Sequence, residues 1–135
     1  MAAKVESGYS GTPLWKKLGF KTAMKVLVLN APSHYASLFN ESANDWLLVK
    51  KDADAIQLFI TEIKQVSEIE KLSKLMPPAI MLWVSWPKKT SPLSKGLSED
   101  HIRNAALACG LVDIKVCAVD KDWSGLKLTR RRSAK

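Results

Sequence analysis

Nine residues with polar or aromatic side chains lie at or just beyond the ends of three apolar stretches of the chain. They are Asn30, Ser33, His34, Tyr35, Glu62, Ser85, Trp86, Lys88 and Lys89. Histidine is the residue type that can act as an acid or a base near neutral pH, so His34 could serve in either role. Glu62 could orient that imidazole, and the two lysines could add positive charge. The set predicts a candidate ligand site suited to proton transfer or to the binding of an anion.

Each of these residues also has an ordinary structural interpretation. Ser33 precedes a predicted short helix at 33–42, whose first N–H groups favour an anion, but it could be only the helix cap. His34 could be a surface residue, and Lys88 and Lys89 a solvated strand end. Trp86 could pack in the core, where aromatic side chains dominate the energetics. The residue types alone leave both interpretations open.

The two cysteines of the chain indicate neither a metal site nor a redox role. Cys109 and Cys117 lie in a helical and a strand pattern, without a CxxC or Cys/His spacing. They are expected to be small buried apolar side chains, and no metal is predicted. There is also no paired acid–base motif and no nucleophile motif.

Three continuous apolar runs, at 24–30, 55–61 and 79–86, predict strands that are covered on both faces, as in a parallel sheet. A weaker strand is expected at 45–50. Helices are expected at 12–19, 65–76 and 98–110, and an antiparallel pair at 112–120 and 125–131. This order predicts an α/β fold, a three-layer Rossmann-like sandwich with a mostly parallel sheet and an antiparallel C-terminal strand pair.

The weak strand raises a question of topology. Only four residues, "KDAD", separate it from the strand at 55–61, whereas a parallel crossover needs about a dozen residues or more. The strand at 45–50 is therefore antiparallel, very short, or outside the sheet.

If the strands are parallel, the fold places the nine candidate residues at one edge of the sheet. In open α/β sheets, ligands bind beyond the carboxyl ends of the strands, near the point where strand order reverses. The stretch "LWVSWPKKTS" at 82–91 ends one of these strands, so its "WPKK" junction is expected at that ligand-binding edge.

Length and charge bound the remaining possibilities. The 135 residues fit a single domain at 11–131, preceded by an N-terminal arm at 1–10 and followed by a basic tail at 132–135. The net charge of +8 makes nucleic acid a possible partner, contacted through the basic run at 129–135 and the lysines of the edge. No apolar run is long enough to span a membrane and no signal peptide is evident, so a cytoplasmic location without membrane contact is expected.

The chain resembles a family of small bacterial proteins that carry a domain of unknown function. The motifs concerned are "GYSGTPL", "LNAP", "LWVSWPKK", "GLVDIKVCAVD" and "DWSGLKL", which here begin at Gly8, Leu29, Leu82, Gly110 and Asp122. The closing pattern of strand, helix and antiparallel pair also resembles class I S-adenosylmethionine-dependent methyltransferases in a reduced form.

The second resemblance implies a cofactor loop after the first strand, and the sequence departs from it there. The glycines of the motif "VLDIGCGxG" would fall at Asn30, Pro32 and His34, and none of these is glycine. Lys50 and Lys51 stand where an acidic residue for ribose hydroxyls is expected. We therefore predict no cofactor of the usual kind and a non-catalytic binding or regulatory domain whose partner is a small anion or a protein. The alternatives are an enzyme with a divergent adenosyl-cofactor or nucleotide site, and a nucleic-acid binder.

Overall fold

The computed structural model describes residues 14–21, 23–35, 47–76 and 80–130. The elements, in chain order, are α1 (Leu14–Leu18), β1 (Lys25–Leu29), β2 (Leu47–Leu48), β3 (Ala55–Phe59), a 3₁₀ helix (Ile63–Val66), α2 (Ser67–Ser73), β4 (Met81–Pro87), α3 (Glu99–Ala108), β5 (Leu111–Ala118) and β6 (Trp123–Arg130). None of these helices is long and apolar enough to cross a membrane.

The strands form one six-stranded sheet in the order β2-β1-β3-β4-β6-β5. The first four strands in this order are mutually parallel, and β6 is antiparallel to both β4 and β5. The mostly parallel sheet with an antiparallel C-terminal pair, predicted from the apolar runs, is confirmed. The chain passes from β1 to β2 on one side and then to β3 on the other, so strand order reverses between β1 and β3.

Side chains from the two faces of the sheet enter two separate cores. The larger core contains Ile69 of α2 and Ile102 of α3, packed on Leu58 and Val84 of the sheet. The other face is covered by α1 and by Phe20. Its core comprises Leu14, Leu18, Phe20, Val26, Ala55, Phe59, Trp83, Val119 and Trp123. Helices on both faces complete the three-layer sandwich.

The short connection after β2 is explained by how little of β2 enters the sheet. Only Leu47 and Leu48 pair with β1, and they do so in parallel, opposite Lys25 and Val26 at the amino end of β1. The chain therefore needs only to pass that end to reach β3. There, the backbone N–H of Lys25 donates to the Asp54 carboxylate (2.9 Å) and the Asp54 N–H donates to the Lys25 carbonyl (2.7 Å). Of the three possibilities left open by the sequence, the very short strand is the one observed.

Other boundaries differ from the prediction for local reasons. The helix expected at 65–76 is a 3₁₀ turn followed by seven α-helical residues, because the Gln65 side chain accepts from the backbone N–H groups of Thr61 and Glu62 and starts the turn earlier. The last strand, predicted to begin at residue 125, begins two residues earlier at Trp123, which pairs with Pro87. The short helix predicted after Ser33 falls mainly outside the described residues.

Candidate functional site

The carboxyl ends of β1, β3 and β4 lie at one edge of the sheet, because these strands are parallel and in register. The turn between β5 and β6 reaches the same edge, since Trp123 pairs with Pro87. The backbone N–H of Lys88 donates to the Asp122 carbonyl (2.8 Å), which fastens the "WPKK" junction to that turn. We call this region the carboxyl edge.

His34 meets a carboxylate at this edge, and the carboxylate belongs to Asp120. The distance from His34 Nε2 to Asp120 Oδ2 is 3.0 Å, and the imidazole side chain is 42% exposed. The other carboxylate oxygen, Oδ1, accepts the backbone N–H groups of Asp122 and Trp123, both at 2.8 Å. The β5–β6 turn thus fixes the carboxylate that holds the imidazole.

Glu62, which the sequence suggested for that role, is engaged by two lysines. Its carboxylate lies 3.3 Å from Lys95 Nζ and 3.6 Å from Lys64 Nζ. The hydrogen bond from Lys95, followed by the charge of Lys64, lowers the pKa of this carboxyl below its ordinary value. Glu62 therefore joins the chain after β3 to the loop after β4.

Tyr35 lies across the point where strand order reverses. Its chain position follows β1, yet its hydroxyl donates to Gln57 Oε1 of β3 at 2.7 Å. Its ring meets the Phe59 ring edge-on, with 5.9 Å between the centroids. The half-buried tyrosine ring therefore reaches from the chain after β1 to the carboxyl half of β3, on the α1 face of the sheet.

Ser85 and Trp86 point to opposite faces of β4, and both are buried. Trp86 packs in the larger core, as its structural interpretation required. Ser85 lies between Phe59 of β3 and Gly125 of β6 in the register. The rings of Phe59 and Trp123, on the two flanking strands, meet edge-on with centroids 5.1 Å apart. They can do so because the side chain between them is short.

The other candidates lie at the exposed rim. Asn30, Ser33 and Lys89 are exposed and Lys88 is half-buried. Asn30 has φ of +60°, a left-handed conformation that asparagine tolerates better than most residues. Asn30 therefore adopts a backbone conformation typical of glycine, at the position where the first glycine of the motif "VLDIGCGxG" would fall.

Three buried polar atoms on the α1 face have no hydrogen-bond partner in the described part of the chain. They are Gln57 Nε2, Ser85 Oγ and Trp123 Nε1. Gln57 and Ser85 are 0% exposed and Trp123 is 4% exposed. Most buried polar groups in folded proteins are paired, and these three unpaired atoms lie on one face of neighbouring strands.

Sequence reasoning missed Gln57 and Asp120. A glutamine in the middle of the apolar run "AIQLFIT" was a usable signal, because a buried amide needs partners. Asp120, two residues before Asp122 in a tight turn, fits an aspartate that accepts backbone N–H groups. Its contact with His34, 86 residues away in sequence, carried no local signal.

Two further regions have features of a site. Arg130, within the basic run at 129–135, donates to the Met76 carbonyl (3.0 Å) and to the Ser73 carbonyl, so this arginine joins β6 to the end of α2. An apolar groove of about 290 Å³ runs between α2 and α3, with Ile63 and Cys109 among its lining residues. No group of three metal-ligating side chains occurs in the described ranges.

The fold is similar to solved methyltransferases. A ribosomal protein L11 methylase from Lactobacillus delbrueckii subsp. bulgaricus superposes with a TM-score of 0.59 at 12% identity, over 88% of this chain and 75% of that one. A SAM-dependent methyltransferase from Aquifex aeolicus gives 0.56 at 14% identity, over 87% of each chain. The mitomycin 7-O-methyltransferase MmcR gives 0.58 at 9% identity, over 80% of this chain and 49% of its own.

These similarities establish the class of fold: a Rossmann-like α/β sandwich of methyltransferase type, in a reduced form. The chain spans about half the length of MmcR. No family model matches the sequence, and a search of curated proteins finds no match.

Proposed function

We propose that the chain is a non-catalytic binding domain that takes a small ligand at the carboxyl edge of a methyltransferase-like sheet. The observation that carries this proposal is the position of Tyr35. Its ring, hydrogen-bonded to Gln57 and packed on Phe59, covers the reversal point at which such sheets bind their cofactors. A dinucleotide- or adenosyl-type cofactor in the usual position would have to displace this side chain.

The loop that carries Tyr35 supports the same conclusion. Asn30 reproduces a glycine-like conformation, but Pro32 has no backbone N–H to offer a ligand. His34 directs its imidazole to Asp120 on the far side of the edge. Residues 32–35 therefore approach the sheet through their side chains, whereas a glycine-rich loop leaves its backbone open to the cofactor.

The direct test is a thermal-shift and calorimetric titration with S-adenosylmethionine and S-adenosylhomocysteine. A ligand at a hundred times its dissociation constant stabilises a protein by about 2.7 kcal/mol, so binding would be plain. We expect no shift for the wild-type chain. A clear shift with either compound in the wild type would refute the proposal, because an adenosyl cofactor would then bind in spite of the Tyr35 side chain.

One observation favours a second candidate, an enzyme with a divergent site. His34 held by Asp120 has the arrangement of a general base whose imidazole is oriented by a carboxylate. If the adenosyl compounds bind, His34→Ala and Asp120→Asn should then lower methyl transfer without lowering affinity equally. Loss of affinity alone would assign the pair to binding.

A further inference from the structure

All three unpaired polar atoms on the α1 face can donate a hydrogen bond. Gln57 Nε2 and Trp123 Nε1 can only donate hydrogen bonds, and Ser85 Oγ can donate one. They come from three neighbouring strands of the sheet, β3, β4 and β6, on the same face. A group that satisfied them would have to present acceptor oxygens.

The surroundings determine which kind of acceptor fits. The buried polar side chains of the described residues are Gln57, Ser73, Ser85 and Ser91, so no buried cation is present to compensate an anion. The carboxylate of Asp120 is also close by, bonded to the backbone N–H of Trp123. Burying an unpaired anion is costly, whereas an uncharged carbonyl oxygen carries a much smaller penalty.

The walls are aromatic. Phe59 meets Tyr35 edge-on at one side and Trp123 edge-on at the other. Tyr35 is the half-buried member of this row and the member that does not belong to a strand, so it is the side chain that an entering ligand would displace. Displacing it would free Gln57 Oε1 as well as leave Nε2 available to donate, and it would open a space the size of a phenol ring.

From these features we propose that Gln57, Ser85 and Trp123 form a binding site beneath Tyr35 for an uncharged, ring-containing ligand that presents carbonyl oxygens. This inference rests on the proposed binding function and narrows its ligand class. It replaces the small anion expected from the sequence with a neutral acceptor. Tyr35 occupies the site when no ligand is bound, and its hydroxyl bonds the same amide that the ligand would use.

The test compares three probes of similar shape: acetophenone, a neutral acceptor; benzoate, an anionic acceptor; and toluene, which has no acceptor. Each is titrated into ¹⁵N-labelled wild-type protein and into Tyr35→Ala, in which the ring is removed. The indole N–H signal of Trp123, assigned as the one lost in Trp123→Phe, reports contact at the site itself. Tyr35→Leu serves in place of Tyr35→Ala if the latter fails to fold.

We expect acetophenone to bind Tyr35→Ala about fivefold more tightly than toluene, the ratio of roughly one net hydrogen bond. It should also bind more tightly than benzoate and shift the Trp123 indole signal. The wild type should show the same order with weaker affinity, because the ligand must displace Tyr35. Adding Ser85→Ala or Trp123→Phe to Tyr35→Ala should reduce the preference for acetophenone over toluene.

Equal binding of toluene and acetophenone would overturn the inference, because an apolar cavity alone would then explain it. Preference for benzoate, or no binding of acetophenone to the wild type up to its solubility limit, would overturn it as well. None of these outcomes decides the proposed function, which the adenosyl titrations test separately.

Discussion

Replacing Trp83 by phenylalanine should destabilise the fold more than replacing Trp86 by phenylalanine, three residues further along β4. Trp83 is fully buried, and its indole N–H donates to the carbonyl of Leu18 at 2.8 Å. Leu18 ends α1, and a carbonyl at the end of a helix has no partner within the helix. Phenylalanine would leave this carbonyl unpaired in the core, a cost of about 1–3 kcal/mol in addition to the lost ring volume.

Trp86 provides the matched control. It is also buried, on the opposite face of β4, and shows no comparable hydrogen bond among the described residues. Because Trp86→Phe removes the same atoms, the difference between the variants isolates the bond to Leu18. Urea unfolding followed by circular dichroism should place the Trp83→Phe midpoint lower than the Trp86→Phe midpoint by about 1 M, with unchanged slopes. Equal midpoints would mean that the bond contributes nothing to stability.

Three further predictions concern the same sheet and its carboxyl edge. Ser85→Ala should leave the free energy of unfolding unchanged or raise it by up to about 1 kcal/mol, because it removes a buried unpaired hydroxyl; a loss of stability in urea unfolding would show that the hydroxyl has a hidden partner. Gly125→Val should lower the free energy of unfolding by about 1–3 kcal/mol, since even a Cβ would lie 3.2 Å from both Trp83 and Val119. An unchanged midpoint in urea unfolding would contradict this. Lys95→Ala should raise the pKa of Glu62 in a carboxyl-detected NMR titration. Because folding lowers that pKa, the small stabilisation from the pair exists at neutral pH and is lost as the pH falls through the folded-state value. No change in the Glu62 titration would contradict the assignment to Lys95.

The fold was predictable from the sequence because its central strands are covered on both faces. Burial on both sides requires apolar residues at every position, and such runs stand out at 55–61 and 79–86. The sequence left the strand at 45–50 as antiparallel, very short or outside the sheet, because two residues of pairing leave almost no pattern. The 3₁₀ turn was missed for a similar reason: it depends on one side-chain contact by Gln65.

The sequence by itself determined the layers of the sandwich, the parallel direction of its central strands, and hence the edge at which polar residues collect. These follow from the periodicity of apolar residues, a local property of the chain. Tertiary structure alone decided that His34 meets Asp120, that Tyr35 covers the reversal point, and that Gln57, Ser85 and Trp123 share one face with unpaired atoms. Each of these contacts depends on the order and register of strands far apart in sequence, and no local pattern encodes that order.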